Sequence, residues 1–128
     1  MKKIFIVVII MLLSSSAFAA NEVHCGLVTG LSNVYCRVVR ASDLTIWDTG
    51  ITDFNDNPAW SDTDIAMTEN TDVKNIYYAS MPAASAGRFY FYVYSNATPA
   101  NTDTPLASWT NDWDGSAFIT LASLNTAA

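Results

Sequence analysis

The chain has 128 residues, 51% of them apolar, with 6 basic against 12 acidic side chains and a formal net charge of −6. That imbalance repels phosphate backbones and anionic lipid head groups, so nucleic-acid binding and docking on anionic membranes are argued against from the outset. One histidine and two cysteines leave little for imidazole-based catalysis or a four-ligand zinc centre.

The first segment, 1–19, reads as a secretory signal peptide. Lys2 and Lys3 precede an apolar run over 4–13, then three serines, then Ala17-Phe18-Ala19. That order of charged, apolar and small residues predicts cleavage after Ala19. The apolar run is about ten residues, half of the roughly twenty that a membrane-spanning helix needs. The processed chain, 20–128, is expected to be secreted or periplasmic, free of the membrane, and one domain with a single core. Without Lys2 and Lys3 it keeps 4 basic residues against 12 acidic, a net charge of −8. Such a charge favours solubility outside the cell.

Cys25 and Cys36 are the two cysteines. In an oxidising compartment an even count predicts a disulfide. The segment between them has Thr29-Gly30-Leu31-Ser32 at its centre. Folded as a hairpin about that turn, the two cysteines would face each other across the strands at bonding distance. The closed loop would stabilise the fold by about 2–3 kcal/mol on a chain-entropy model. A metal site on His24, Cys25 and Cys36 lacks a fourth ligand.

Further along, short β-branched and aromatic runs alternate with Gly, Pro, Asn and Asp. No stretch sustains a helical period. Strands are expected over 23–28, 34–40, 44–47, 64–69, 76–80, 89–95, 106–111 and 117–121. About eight short strands predict an all-β, single-domain antiparallel β-sandwich. In Phe89-Tyr-Phe-Tyr-Val-Tyr94 the side chains alternate, so Phe89, Phe91 and Val93 belong to the core and Tyr90, Tyr92 and Tyr94 to the opposite face. A neighbouring loop or strand covering that row is the plainer reading; an aromatic contact surface is the sharper one. Asp114-Gly115 predicts a tight hairpin with positive φ at both residues. Pro99 and Pro105 bracket a loop, and 125–128 reads as a frayed tail.

No catalytic constellation stands out. His24 is the one available base, and a strand directs His24 and Cys25 to opposite faces. Acidic residues cluster at Asp48, Asp53, Asp56, Asp62 and Asp64, a pattern that could cut glycosides but in so small a domain is read as solvated loops. Asp53, Asn55, Asn57 and Asp64 fall at positions 1, 3, 5 and 12 of a calcium-loop spacing. Pro58 occupies the position that needs glycine, which leaves only a generic calcium-stapled loop as a weak candidate. Four tryptophans are many for this length. Trp60 and Trp113, beside turns, read as core plugs. Trp47 and Trp109, with Tyr90, Tyr92 and Tyr94, form the candidate contact surface. Asn96-Ala97-Thr98 matches a glycosylation pattern, read here as a polar turn.

The order of short motifs carries a resemblance. Trp60 is followed by Ile65-Ala66-Met67-Thr68-Glu69, Tyr77-Tyr78-Ala79, Pro82, Ala86-Gly87, the strand from Phe89 to Tyr94, Pro99-Ala100 with Asp103, and Trp113-Asp114-Gly115. Over 34–119 this resembles small β modules of phage virion-associated proteins and of uncharacterised bacterial proteins of phage-like origin. The resemblance implies a structural or interaction role and carries over no catalytic residue. The signal peptide and the cysteine pair depart from that group and favour an exported version. The expected function is an exported, non-enzymatic structural or interaction module, part of a surface or virion-like assembly, without a cofactor. A protein partner or self-association is expected first. A carbohydrate-binding module using the exposed aromatics is the runner-up, and a small secreted hydrolase the third reading.

Overall fold

The computed structural model describes residues 20–120. The expected signal peptide 1–19, Leu121 of the last expected strand and the expected frayed tail 125–128 lie outside the described residues. Within them the chain is all-β, with two antiparallel sheets stacked as a β-sandwich. The strands are β1 (Glu22–Gly26), β2 (Val34–Arg40), β3 (Ile46–Asp48), β4 (Asp53–Asn55), β5 (Ile65–Ala66), β6 (Thr68–Glu69), β7 (Ile76–Ser80), β8 (Gly87–Ser95) and β9 (Ala107–Trp113), with a 3-10 turn at Trp60–Asp62. The smaller sheet has the order β1-β7-β6; the larger has β4-β3-β2-β8-β9, with β5 also paired to β2.

Period-two alternation builds the core as expected. Val34, Cys36 and Val38 from β2, Phe89, Phe91 and Val93 from β8, and Trp47 and Trp113 meet Val23, Tyr77 and Ala79 from the smaller sheet and Met81 just after it. Phe89, Phe91 and Val93 are each 0% exposed. Burying one such side chain contributes about 1.5–3 kcal/mol, so β8 is the strand around which the sandwich closes.

The hairpin expected between Cys25 and Cys36 does not form. β1 pairs with β7, setting Cys25 opposite Tyr77, while β2 pairs with β8, setting Cys36 opposite Val93. The loop between β1 and β2 instead carries the chain from one sheet to the other. Tyr77 pins it: its hydroxyl accepts from the Leu31 N–H at 2.9 Å and donates to the Val28 carbonyl at 3.0 Å. Glu69 accepts from the Gly30 N–H, and Gly30 itself has φ +80°, which favours glycine. Cys25 and Cys36 are both free thiols. Cys36 sits in the core and Cys25 packs against it from the facing sheet. Burial pushes the Cys25 thiol up to about 11 and raises that of Cys36 further.

Three other boundaries differ. The segment 64–69 is two strands rather than one. β5 pairs with β2 and β6 with β7, so the chain changes sheets at Met67, which is buried and donates its N–H to the Val34 carbonyl. β4 was not expected, because Asp53 and Asn55 are poor strand formers; Phe54 holds it by packing edge-on against Trp47, 5.3 Å away. Leu44 lies outside β3, with φ +60° and its side chain exposed, because Asp43 accepts from both the N–H and the hydroxyl of Thr45 and closes a turn there. Of the expected strand 117–121, the described part makes one bridge, Phe118 to Trp113.

Candidate functional site

The outer face of the larger sheet is built by three neighbouring strands. On β8, Arg88, Tyr90, Tyr92 and Tyr94 alternate with the core residues and point away from them. Register sets Tyr35 opposite Tyr94, Arg37 opposite Tyr92 and Val39 opposite Tyr90 on β2. On the other side it sets Ser108 opposite Tyr92, Thr110 opposite Tyr90 and Asp112 opposite Arg88 on β9. Tyr92 is therefore at the centre, flanked by a guanidinium and a hydroxyl. Strands lie about 4.8 Å apart, and residues two apart along one strand are separated by about 7 Å.

One end of this face is covered. Tyr94 is 5% exposed beneath Tyr35, whose ring stacks on it at 5.0 Å, while Trp60 packs edge-on against Tyr94 at 5.7 Å. Tyr35 is tied down by its hydroxyl, which donates to Asp103 at 2.5 Å and accepts from the Trp60 indole N–H at 3.2 Å. Asp103 also accepts from Asn96 and from the Ala100 N–H. These bonds, the Tyr35 hydroxyl first, hold the Asp103 carboxyl below the usual carboxylate range. Burial first, then the carboxylate, pushes the Tyr35 phenol up to about 12. The loop between Pro99 and Pro105 thus serves as a clamp with Asp103 as its anchor.

Arg37 is fixed from the same side. Its guanidinium lies 3.5 Å from the centre of a Trp60 ring, and its Nε donates to the Thr63 hydroxyl at 2.9 Å. Thr63 is fully buried and donates in turn to the Trp60 carbonyl. Among the described residues the ion pairs are Arg40–Asp43 and Arg88–Asp112, so Arg37 has no carboxylate partner. Its terminal nitrogens make no hydrogen bond among the described residues and are not buried. Tyr90 and Tyr92 are half-buried, and Ser108 and Thr110 are exposed. The open part of the face is therefore two phenol rings, a held guanidinium and two hydroxyls on a rigid backing.

The structure divides the expected contact residues. Tyr90 and Tyr92 remain available. Tyr94 is covered by the Tyr35 and Trp60 rings. Trp47 faces the core and is 8% exposed, because alternation on β3 puts it on the side of Phe54 and Phe89. Trp109 also faces inward, stacked on Phe91 at 5.2 Å. It lines a cleft of about 600 Å³ between the β1 and β9 edges, with Val23, Cys25 and Phe118. Trp113 is a core plug as expected, its indole donating to the Ala84 carbonyl. Trp60 is not: it caps the outer face.

Two side chains of the calcium set, Asp53 and Asn55, make local hydrogen bonds. Asn55 donates to Asp48, the Asn57 N–H turns back to the Asn55 side chain, and Asp53 accepts from the next N–H. Among the described residues no group of three His, Cys, Asp or Glu could hold a metal. Asn96 is a polar turn, its amide held by Asp103 and its carbonyl by the Thr98 N–H.

Sequence reading missed Tyr35, Arg37, Trp60, Thr63 and Asp103 as parts of one arrangement. The alternation that sets Tyr35, Arg37 and Val39 on one face was legible; their register against the tyrosines was not. Compared with protein-family models, curated proteins and solved structures, the chain matches none.

Proposed function

We propose that this chain is an exported, non-enzymatic contact module that works through the outer face of its larger sheet. The observation that carries this reading is the pair Tyr90 and Tyr92, half-buried side by side on a strand whose other face is fully packed. Large amphipathic rings on a rigid support make contact area at little cost in conformational entropy, which is why such residues concentrate at recognition surfaces. The leader sequence supports export, and the resemblance to phage-like β modules supports a place in a surface or virion-like assembly with a protein partner.

A photo-crosslinking side chain at position 92 of the exported protein tests this. It should trap a discrete partner, while the same probe at Thr68, exposed on the opposite sheet, should not. Equal trapping at both positions would overturn the assignment of the face. Substrate turnover by the purified processed chain, lost on substituting one acidic residue, would overturn the non-enzymatic reading.

The runner-up is a carbohydrate-binding module. The observation favouring it is the hydroxyl row of Ser108 and Thr110 directly beside the two rings. Sugars need that combination, an aromatic plane for their C–H face and hydrogen-bonding groups for their edge.

A further inference from the structure

The two sheets leave open edges on the same side of the sandwich. Among the described strands β1 pairs only with β7 and β9 only with β8, and both edges flank the cleft lined by Val23, Cys25 and Trp109. In an antiparallel ladder alternate residues turn their backbone groups to one neighbour, and the residues between them turn theirs the other way. On the β1 side the Met81 N–H donates to the Asn21 carbonyl and the Leu27 N–H to the Asn75 carbonyl. Odd-numbered positions therefore face β7, and Ala20 and Glu22 turn outward. On β9 the Asp112 carbonyl accepts from the Ile119 N–H, so Asp112, Thr110 and Ser108 turn outward. An edge of this kind accepts a further strand, and native proteins cover it.

The chain itself enters the gap. Phe118 bridges Trp113 and donates its N–H to the Ala20 carbonyl at 2.9 Å, so one residue touches both edges. Its ring packs on Trp113 at 4.9 Å and on Phe91 at 5.7 Å. Phe118 and Thr120 both line the cleft. Direction and register follow from that bridge. Trp113 opposite Phe118 sets Asn111 opposite Thr120, Trp109 opposite position 122 and Ala107 opposite position 124. The sequence supplies Ala122 and Leu124 there. A small side chain falls beside the large Trp109 ring, and a large one beside the small Ala107. Leu121 and Ser123 fall on the other face.

We propose that residues 121–124 of this chain are the strand that fills the cleft, antiparallel to β9 and alongside β1, joining the two sheets at this seam. The covalent tether selects this occupant. Thr120 already stands in the cleft, so docking the next residues costs only their own ordering. A separate chain must also give up translational and rotational freedom. The β9 edge is then closed to a partner strand.

Nuclear magnetic resonance on the processed chain tests this. Positions 109 and 122 form a non-hydrogen-bonded pair, in which the two α-carbons approach most closely. Overhauser contacts between α-protons should join Trp109 to Ala122 and Ala107 to Leu124, and the Ser108 and Thr110 amides should exchange slowly. Leu124→Asp puts a charge into the apolar cleft and should speed exchange at Ser108 and Thr110 about tenfold or more, leaving the β2 amides unchanged. Contacts that arise between a labelled and an unlabelled copy make a second molecule the occupant and overturn the proposal. Absence of both contacts, fast exchange of both amides in the wild type, or unchanged exchange in folded Leu124→Asp overturns it as well. Should the variant fail to fold, the wild-type contacts decide alone.

Discussion

Tyr35 joins three separate parts of this molecule. Its ring lies on Tyr94, its hydroxyl reaches Asp103, and the Trp60 indole reaches it in turn. Through Trp60 the same chain of contacts orients Arg37. Removing one hydroxyl therefore disturbs both the loop clamp and the tyrosine face. Tyr35→Phe leaves the ring stacked but takes the partner from a carboxylate and an indole N–H, and is expected to cost about 1–2 kcal/mol in urea unfolding. The phenol also gives a direct readout. Its pKa is raised in the folded state to about 12, above the ordinary value near 10. The stability that accompanies this is complete below pH 10 and is lost as pH rises toward 12. Ultraviolet titration should show a late tyrosine step that is lost in Tyr35→Phe; a wild-type curve that Tyr35→Phe leaves unchanged at high pH contradicts the hydrogen-bonded placement.

At the scale of elements, strands with strong alternation were legible to the residue. β2 and β7 fall at 34–40 and 76–80 as read, and β8 differs only by two residues at its start. Elements defined by what they pair with were not. The single apolar-looking run 64–69 is divided between two sheets at Met67, a division that alternation cannot encode because both halves keep the same period. β4 is held by its ladder to β3, by Asn55 donating to Asp48 and by the packing of Phe54 on Trp47 and Phe89. The turn after β9 was read correctly in place and incorrectly in kind. Gly115 has φ +103° and Asp114 does not have positive φ. Asp114 instead uses its carboxylate to accept the Ser116 and Ala117 N–H groups at 2.7 Å each. Gly115→Ala meets no steric obstacle, the nearest atom to an added Cβ being 3.8 Å away, so its cost is conformational, about 1–2 kcal/mol. Thermal unfolding of that variant should show the loss with no change in the tyrosine face; a neutral Gly115→Ala contradicts the turn geometry.

For the whole molecule the acidic charge has two sides. It favours solubility, yet many of the carboxylates are structural. Asp43 is held by Arg40, Asp48 by Asn55, Glu69 by Thr29, Asp103 by Tyr35, Asp112 by Arg88 and Asp114 by the Ser116 N–H, and each is shifted below its ordinary value. A carboxyl with a lowered folded pKa binds protons less readily folded than unfolded. Its contribution is therefore present above its unfolded pKa near 4 and is lost as pH falls through the folded value. The urea midpoint should hold steady above about pH 5 and fall as pH drops below about 4. Asp103→Asn should shallow that fall, and a midpoint independent of pH down to 3 would contradict the assigned bonds.

The amino-acid order by itself determined the fold class, the core face of each strong strand and the presence of a tyrosine row, because side-chain direction along a strand is a local property with a period of two. It also set the net acidic charge of the chain. Only the tertiary structure decided which tyrosines stay open, that Trp47 is core and Trp60 is cap, and that Cys25 and Cys36 belong to facing sheets. Those outcomes depend on which strand lies beside which and in what register. They are fixed by contacts between residues far apart in the chain, such as Tyr35 with Asp103, which no local pattern contains.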